Sequence, residues 1–315
     1  MDSTTIVVLS LSATNRPEVL DGALLRAGRF DRTVVVEKPG KAGRRDILAI
    51  HSKNVTLDSD VNLDAIAART PGFAGADLSS LINEAALLAA REHAETVSST
   101  HFDEAIERAA LGLKKRGRLL SDIEKKVTAY HELGHAIVAE RVPSGDPVKK
   151  VSIIPRGMAL GVMWQQPTQD TYMRKKSELE DSMAILMGGR AAEKLFFGEF
   201  YTGSESDLAR ATHLASDMVQ KYGMSKLGGR TFAGEQSVHV NPNSSPKRTQ
   251  NYSDGVMDEI DAEIGRFVEQ AHQRAMTILE AERKTIDRLA KQLLDQQELS
   301  GETLRKTLAR DKVWQ

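Results

Sequence analysis

The chain has 315 residues, 40% hydrophobic and 28% charged, enough for two or three domains with sizeable cores and against global disorder. The 43 Lys and Arg nearly balance 44 Asp and Glu, and a formal net charge of −1 leaves no electrostatic footprint for nucleic acid. Cysteine is absent, which excludes disulfides and thiolate metal sites, leaves His, Asp or Glu to hold any zinc, and fits a reducing compartment.

No secretory signal and no apolar run long enough to span a bilayer is present, so the chain reads as soluble. Residues 1–40 read as two β-strands, Thr5 to Leu11 within "TTIVVLSLSA" and a second in "RTVVVEKP". Near-continuous apolar strands suit a parallel sheet buried on both faces, and two strands are too few for one, so the segment reads as truncated. Residues 43–112 read as a small helical bundle, built from "GRRDILAIHSKN", "NLDAIAAR", "GADLSSLINEAALLAAREHAE" and "SSTHFDEAIERAALG". In the last of these Thr100 is the expected N-cap, with Asp103 three residues on. Residues 113–122 form a basic hinge.

Ser121 and Glu124 of "SDIE" make a capping box for a helix that must stop before Pro143. "VKKVSIIPRGMALGVMWQQP" reads as two strands joined by a Pro-Arg-Gly turn, and further helices are expected from Ser177 and near Ser206. Residues 228–254, rich in Gly, Ser, Asn and Pro, read as a long functional loop, and the remainder reads as helical to near the C-terminus.

The capped helix carries "AYHELGHAIVAE", residues 129–140. In H-E-x-x-H the two imidazoles lie one turn apart on one face and can share a Zn²⁺, while the glutamate can take a proton from a water there. His131 and His135 are the candidate ligands and Glu132 the candidate general base. The bland alternative is a solvated face, but Ile123, Val127, Tyr130, Gly134, Ile137 and Val138 trace one buried stripe that the histidines border. Gly134 is unfavourable in mid-helix by about 1 kcal/mol, which suggests close approach of another backbone. A catalytic zinc needs a third protein ligand. Two carboxylates are candidates: Asp207, at a loop-to-helix junction after a Gly-Ser stretch, and Glu193, which could instead hold a ligand imidazole from outside.

"HELGHA", "GGRAAE" and "TGSESDL", in that order, resemble the zinc peptidase domain of the FtsH family of membrane-anchored, ATP-dependent proteases. "SATNRPEVLDGALLRAGRFDR" resembles the second half of an AAA+ ATPase core, and "GFAGADLSSLINEAALLAAR" its helical lid. The resemblance implies a mainly α chain with small β elements: a truncated AAA+ α/β core (1–42), a helical lid (43–112), a linker (113–122) and a predominantly helical zinc peptidase domain (123–315). It implies zinc on His131, His135 and Asp207 with Glu132 activating the water. It implies a substrate edge strand at Met158, Ala159, Leu160, Gly161 and Val162. Asn15 resembles the ATPase sensor, Arg29 and Arg32 the arginine fingers, and His51, Gly75 and Ala76 the part of the lid that contacts the nucleotide.

It further implies a homohexamer acting on unfolded and membrane proteins, at the bacterial inner membrane facing the cytoplasm or at an organelle membrane. No G-x-x-x-x-G-K-[ST] occurs, nor an apolar strand ending in Asp-Glu, so ATP and Mg²⁺ belong to the full-length family and ATP hydrolysis is not expected from this chain alone. The family's membrane anchor is also absent from these residues. A non-catalytic assembly module of a protease ring is the alternative reading, and the intact His-Glu-His and Asp207 argue against it.

Overall fold

The computed structural model describes residues 10–113, 120–157, 159–167, 171, 173–232 and 252–312. The chain divides into two units, the first holding residues 1–38 and 234–249, the second the rest. In the first, the described residues 10–38 contain one 3₁₀ turn, Pro17–Val19. The strand expected in "RTVVVEKP" does not form: Val34, Val35 and Val36 are 82%, 79% and 90% exposed. A strand needs a neighbour for its N–H and C=O groups, and the described residues of this unit contain none. Of the other expected strand only Ser10 and Leu11 are described, both outside any strand.

The second unit begins with four helices, α1 (Lys41–His51), α2 (Leu63–Ala68), α3 (Gly75–Arg91) and α4 (Ser99–Leu111). Their apolar stripes close on one cluster containing Leu48, Leu78, Leu81, Ile82, Phe102 and Ile106. Buried Arg44 ties α1 to α2, its guanidinium donating to the Ala67 carbonyl at 2.9 and 3.0 Å. The N-cap of α4 is Ser98 rather than Thr100, because His101 folds back so that its Nδ1 accepts the Ser98 N–H at 3.0 Å.

Helix α5 (Asp122–Arg141) starts at the expected capping box: Ser121 Oγ accepts from Glu124 N at 3.2 Å and Glu124 Oε2 from Ser121 N at 2.8 Å. It is not half-buried, as the one-sided stripe implies. Every residue from Val127 to Ala139 is buried, and Ile123 of that stripe is 70% exposed. The helix is buried all round because α6 (Lys176–Phe197), α8 (Asp254–Ala281), α9 (Arg283–Gln296) and the strand β1 (Val148–Ser152) all pack on it. Gly134 permits the closest of these approaches. A Cβ there would stand 2.3 Å from the Gly188 carbonyl oxygen, and one at Gly188 would stand 2.7 Å from that of Gly134, so α5 and α6 cross in backbone contact.

β1 pairs antiparallel with β2 (Val162–Gln165), and on its other side with β3 (Glu298–Ser300), where the sequence predicts helix. Leu299 faces Val151 across that pair and is buried. The sheet order β2-β1-β3 leaves β2 at one edge. Helices α7 (Glu205–Gln220) and α10 (Gly301–Lys312) complete the unit. α6 begins at Lys176 and α7 at Glu205, one residue before the expected Ser177 and Ser206. Most of the expected loop 228–254 lies outside the described residues. Among the described residues no helix is long and apolar enough to cross a membrane.

Candidate metal centre

The two histidines of α5 face a carboxylate from the first turn of α7. His131 Nε2 and His135 Nε2 are 3.0 Å apart, and Asp207 Oδ2 lies 3.5 Å from the first and 3.3 Å from the second. The other ring nitrogens are engaged by α6: His131 Nδ1 is 2.8 Å from Glu193 Oε1, and His135 Nδ1 is 2.6 Å from the Ile185 carbonyl. A carbonyl and a carboxylate only accept, so each Nδ1 carries the proton and each Nε2 presents a lone pair. Three potential ligand atoms therefore converge on one point, where a proton on an Nε2 takes the place that a cation would fill.

The donor set fits a zinc ion. With Zn–N of about 2.0–2.1 Å, tetrahedral ligands stand about 3.3 Å apart, and the three separations here bracket that value. His, His and Asp are hard-to-borderline donors suited to zinc, and the carbonyl and carboxylate behind the imidazoles are the outer partners such ligands require.

The electrostatics agree with a cluster built around positive charge. Burial alone would lower the His131 imidazole, but its hydrogen bonds to Asp207 and Glu193 outweigh burial and push it up to about 10. Burial also opposes the Asp207 charge, yet the two imidazoles hold this carboxyl well below the usual carboxylate range. Asp207 gains further from its place in the first turn of α7, where the helix dipole favours an anion. Burial pushes the Glu132 carboxyl above the ordinary glutamate range, with both imidazoles opposing.

The residues alone leave Glu193 and Asp207 as rivals and the family resemblance favours Asp207; the structure brings both to His131, on opposite ring nitrogens. Glu193 also uses Oε2, accepting the Tyr201 backbone N–H at 3.0 Å, which draws the α6–α7 connection toward the cluster. Gly189 was not singled out, yet a Cβ there would meet His131 Cε1 at 2.4 Å. "GGR" in "GGRAAE" thus carried two signals: Gly188 for the helix crossing and Gly189 for the imidazole.

A cleft of about 840 Å³ opens over the cluster, lined by His131, Glu132, His135 and Asp207 and on one rim by Ala159, Leu160, Gly161 and Val162. Of the expected edge strand, only Val162 belongs to β2; Ala159–Gly161 form the loop that enters it, and Met158 lies outside the described residues. Gly161 presses on Glu132, since a Cβ there would be 2.9 Å from its Oε1. Asn15, Arg29 and Arg32 lie exposed in the first unit, Arg29 Nη1 donating to the Ala23 carbonyl at 3.0 Å. His51 ends α1 and Gly75 and Ala76 begin α3, on helices that pack together.

Residues 118–307 match the family described as peptidase family M41. The chain belongs to that family. Residues 60–104 match the AAA+ lid domain. The M41 chain is 50% identical over 301 residues to "ATP-dependent zinc metalloprotease FtsH 4" of Synechocystis sp., covering 94% of this chain and 48% of that protein. It is 48% identical over 301 residues to "ATP-dependent zinc metalloprotease FtsH" of Syntrophobacter fumaroxidans, covering 95% and 46%. With the protein of that description from Thermotoga maritima it shares 44% over 305 residues, covering 96% and 50%. The chain spans about half the length of these curated relatives, and the resemblance to the lid and peptidase region of the FtsH family is shown by these matches.

Proposed function

We propose that this chain is a zinc-dependent endopeptidase in which His131, His135 and Asp207 hold the ion and Glu132 is the general base. The observation that carries the reading is the convergence of three potential ligand atoms 3.0–3.5 Å apart beneath an open cleft. When bound, zinc would polarise the scissile carbonyl and bring the pKa of a water to about 7. Glu132 takes the proton of the attacking water on its carboxylate and passes it to the leaving amine. Its burial suits that task, because a carboxyl raised above the ordinary range is both a stronger base and able to return the proton. Glu193 and the Ile185 carbonyl orient the two imidazoles from behind.

The open edge at β2 suits an extended chain added as a further strand, a mode that reads backbone and tolerates varied side chains. Unfolded proteins, and membrane proteins drawn out of the bilayer, are the substrates this predicts. The reading extends to the family's remaining features: a homohexamer at a membrane, and ATP-driven delivery using Asn15, Arg29 and Arg32 with His51, Gly75 and Ala76 at the nucleotide. The division is 1–42 for the core segment, 43–112 for the lid, 113–122 for the linker and 123–315 for the peptidase. Neither nucleic acid binding nor ATP hydrolysis by this chain alone is part of the proposal.

The test is cleavage of casein without ATP by the zinc-loaded protein and by Glu132→Gln, with zinc in both measured by elemental analysis. Cleavage by the wild type alone, with equal zinc, is the expected result. Equal cleavage by both would remove Glu132 from the mechanism, and zinc in neither would overturn the metal assignment.

A further inference from the structure

Strand β2, one rim of the cleft, is braced from behind by helices α1–α4. Met163 and Gln165 line the cleft, and Trp164, on the opposite face, packs against the apolar cluster of those helices. The Gln166 side-chain amide reaches the Arg69 carbonyl at 3.4 Å. The deepest tie is ionic. Glu107 of α4 is 8% exposed and accepts from Arg156 Nη2 at Oε2 (2.9 Å) and from Lys150 Nζ at Oε1 (2.7 Å).

Arg156 is only 2% exposed, and its Nε and Nη1 have no hydrogen-bond partner among the described residues. Burying a guanidinium with N–H groups unpaired is unfavourable, so packing gives no reason for arginine here; reaching Glu107 does. Arg156 is also where the loop into β2 closes. Its N–H donates to the Ala159 carbonyl at 3.1 Å, and its carbonyl accepts from Ala159 N at 2.9 Å. The anchored guanidinium and the cleft rim thus belong to one tight turn, and Gly161, two residues beyond Ala159, presses on Glu132.

We infer that Arg156 is a positioning residue for the cleft: gripped by Glu107 of α4, it sets where the loop delivers Gly161 and β2 beside Glu132. A displacement of α4 against the small sheet is carried by this pair to the substrate edge, leaving His131, His135 and Asp207 in place. The inference rests on the peptidase reading only for what is laid along β2.

The test compares the wild type with Glu107→Gln/Arg156→Met, which removes both buried charges together, while Lys150, the other partner of Glu107, keeps Glu298 at 3.6 Å. Amide hydrogen exchange is read along the chain, together with KM and kcat for casein. Exchange across residues 159–166 is expected to quicken about 10-fold, with α5 unchanged. KM is expected to rise about 10-fold with kcat within about twofold, because substrate alignment and not the chemistry is lost. Arg156→Lys, which keeps the charge without the planar reach, should fall between the two and decides the matter if the double variant does not fold. Unchanged exchange at 159–166 in a folded variant would overturn the inference. So would an acceleration shared equally by α5, which marks a general structural role. Failure of the wild type to cleave casein would refute the peptidase reading alone, since the exchange pattern still decides for Arg156.

Discussion

Replacing Gly134 by alanine tests whether the α5–α6 crossing sets the metal centre. The added methyl would stand 2.3 Å from the Gly188 carbonyl oxygen and 2.8 Å from the Ala192 Cβ. An ordinary carbon–oxygen contact is about 3.3–3.6 Å, so the helices must part by about 1 Å at this point. The obstacle is backbone that cannot rotate aside, which puts the strain toward the upper end of the roughly 1–3 kcal/mol range for overpacked cores. Removing a mid-helix glycine returns about 1 kcal/mol, leaving a net loss of about 2 kcal/mol. Gly265 supplies the control: it sits exposed in α8, and its Cβ would meet nothing within 4 Å. Gly265→Ala should therefore gain about 1 kcal/mol, opposite in sign to Gly134→Ala. In thermal unfolding of a unit this size the pair should differ by about 6–12 °C. Parting the helices also lengthens the 2.8 Å His131–Glu193 and 2.6 Å His135–Ile185 contacts, so zinc affinity in a chelator competition should fall with stability. A Gly134→Ala protein as stable as Gly265→Ala, with unchanged zinc affinity, would refute the reasoning.

Glu193→Gln keeps the volume but sets an NH₂ group against either the His131 N–H or the Tyr201 N–H, and should weaken zinc binding about 10–100-fold in chelator competition. Ser121→Ala removes the hydroxyl cap of α5 and should lower stability by about 1 kcal/mol in denaturant titration, with zinc affinity unaltered. Glu263 is held down to about 2 by its paired hydrogen bonds with Arg266, helped by the Lys226 N–H. A depressed carboxyl stabilises the fold fully above its unfolded pKa, near 4.5, and loses that contribution as pH falls through about 2. The stability difference between wild type and Glu263→Gln should therefore be constant near neutrality and vanish across that acid window; a gap persisting below it would contradict the assignment.

What could be read from the sequence was what lies close along the chain. Ser121 and Glu124 are three residues apart, and His131 and His135 one turn apart, so their cap and their shared face follow from helical spacing alone. Asp207 and Glu193 stand far from the histidines in sequence, and only the folding of α6 and α7 decides which ring nitrogen each meets. The burial of α5 on every side was illegible for the same reason, since α8 and α9 arrive from far along the chain to pack on it beside α6. β3 is three residues long, too short for any alternation to register, and exists because β1 offers it an edge. The valines of "RTVVVEKP" show the converse: strong strand propensity with no partner makes no strand.

The cleft is consequently assembled by two contacts of different kinds, and they should fail separately. At Gly134–Gly188 two helix backbones touch, and what they hold in register is the ligand set: the imidazoles on α5, their outer partners on α6. At Glu107–Arg156 an ion pair joins α4 to the loop before β2, and what it holds is the rim. Loosening the first contact should lower metal affinity and stability together, because ligands and core share the same helices. Loosening the second should leave the metal and α5 alone and degrade the capture of an extended chain. Because α4, which runs on from the residues that match the AAA+ lid domain, meets the small sheet at this second contact, with Trp164 and Gln166 beside it, what these helices transmit should reach the proposed substrate edge before it reaches the proposed zinc ligands.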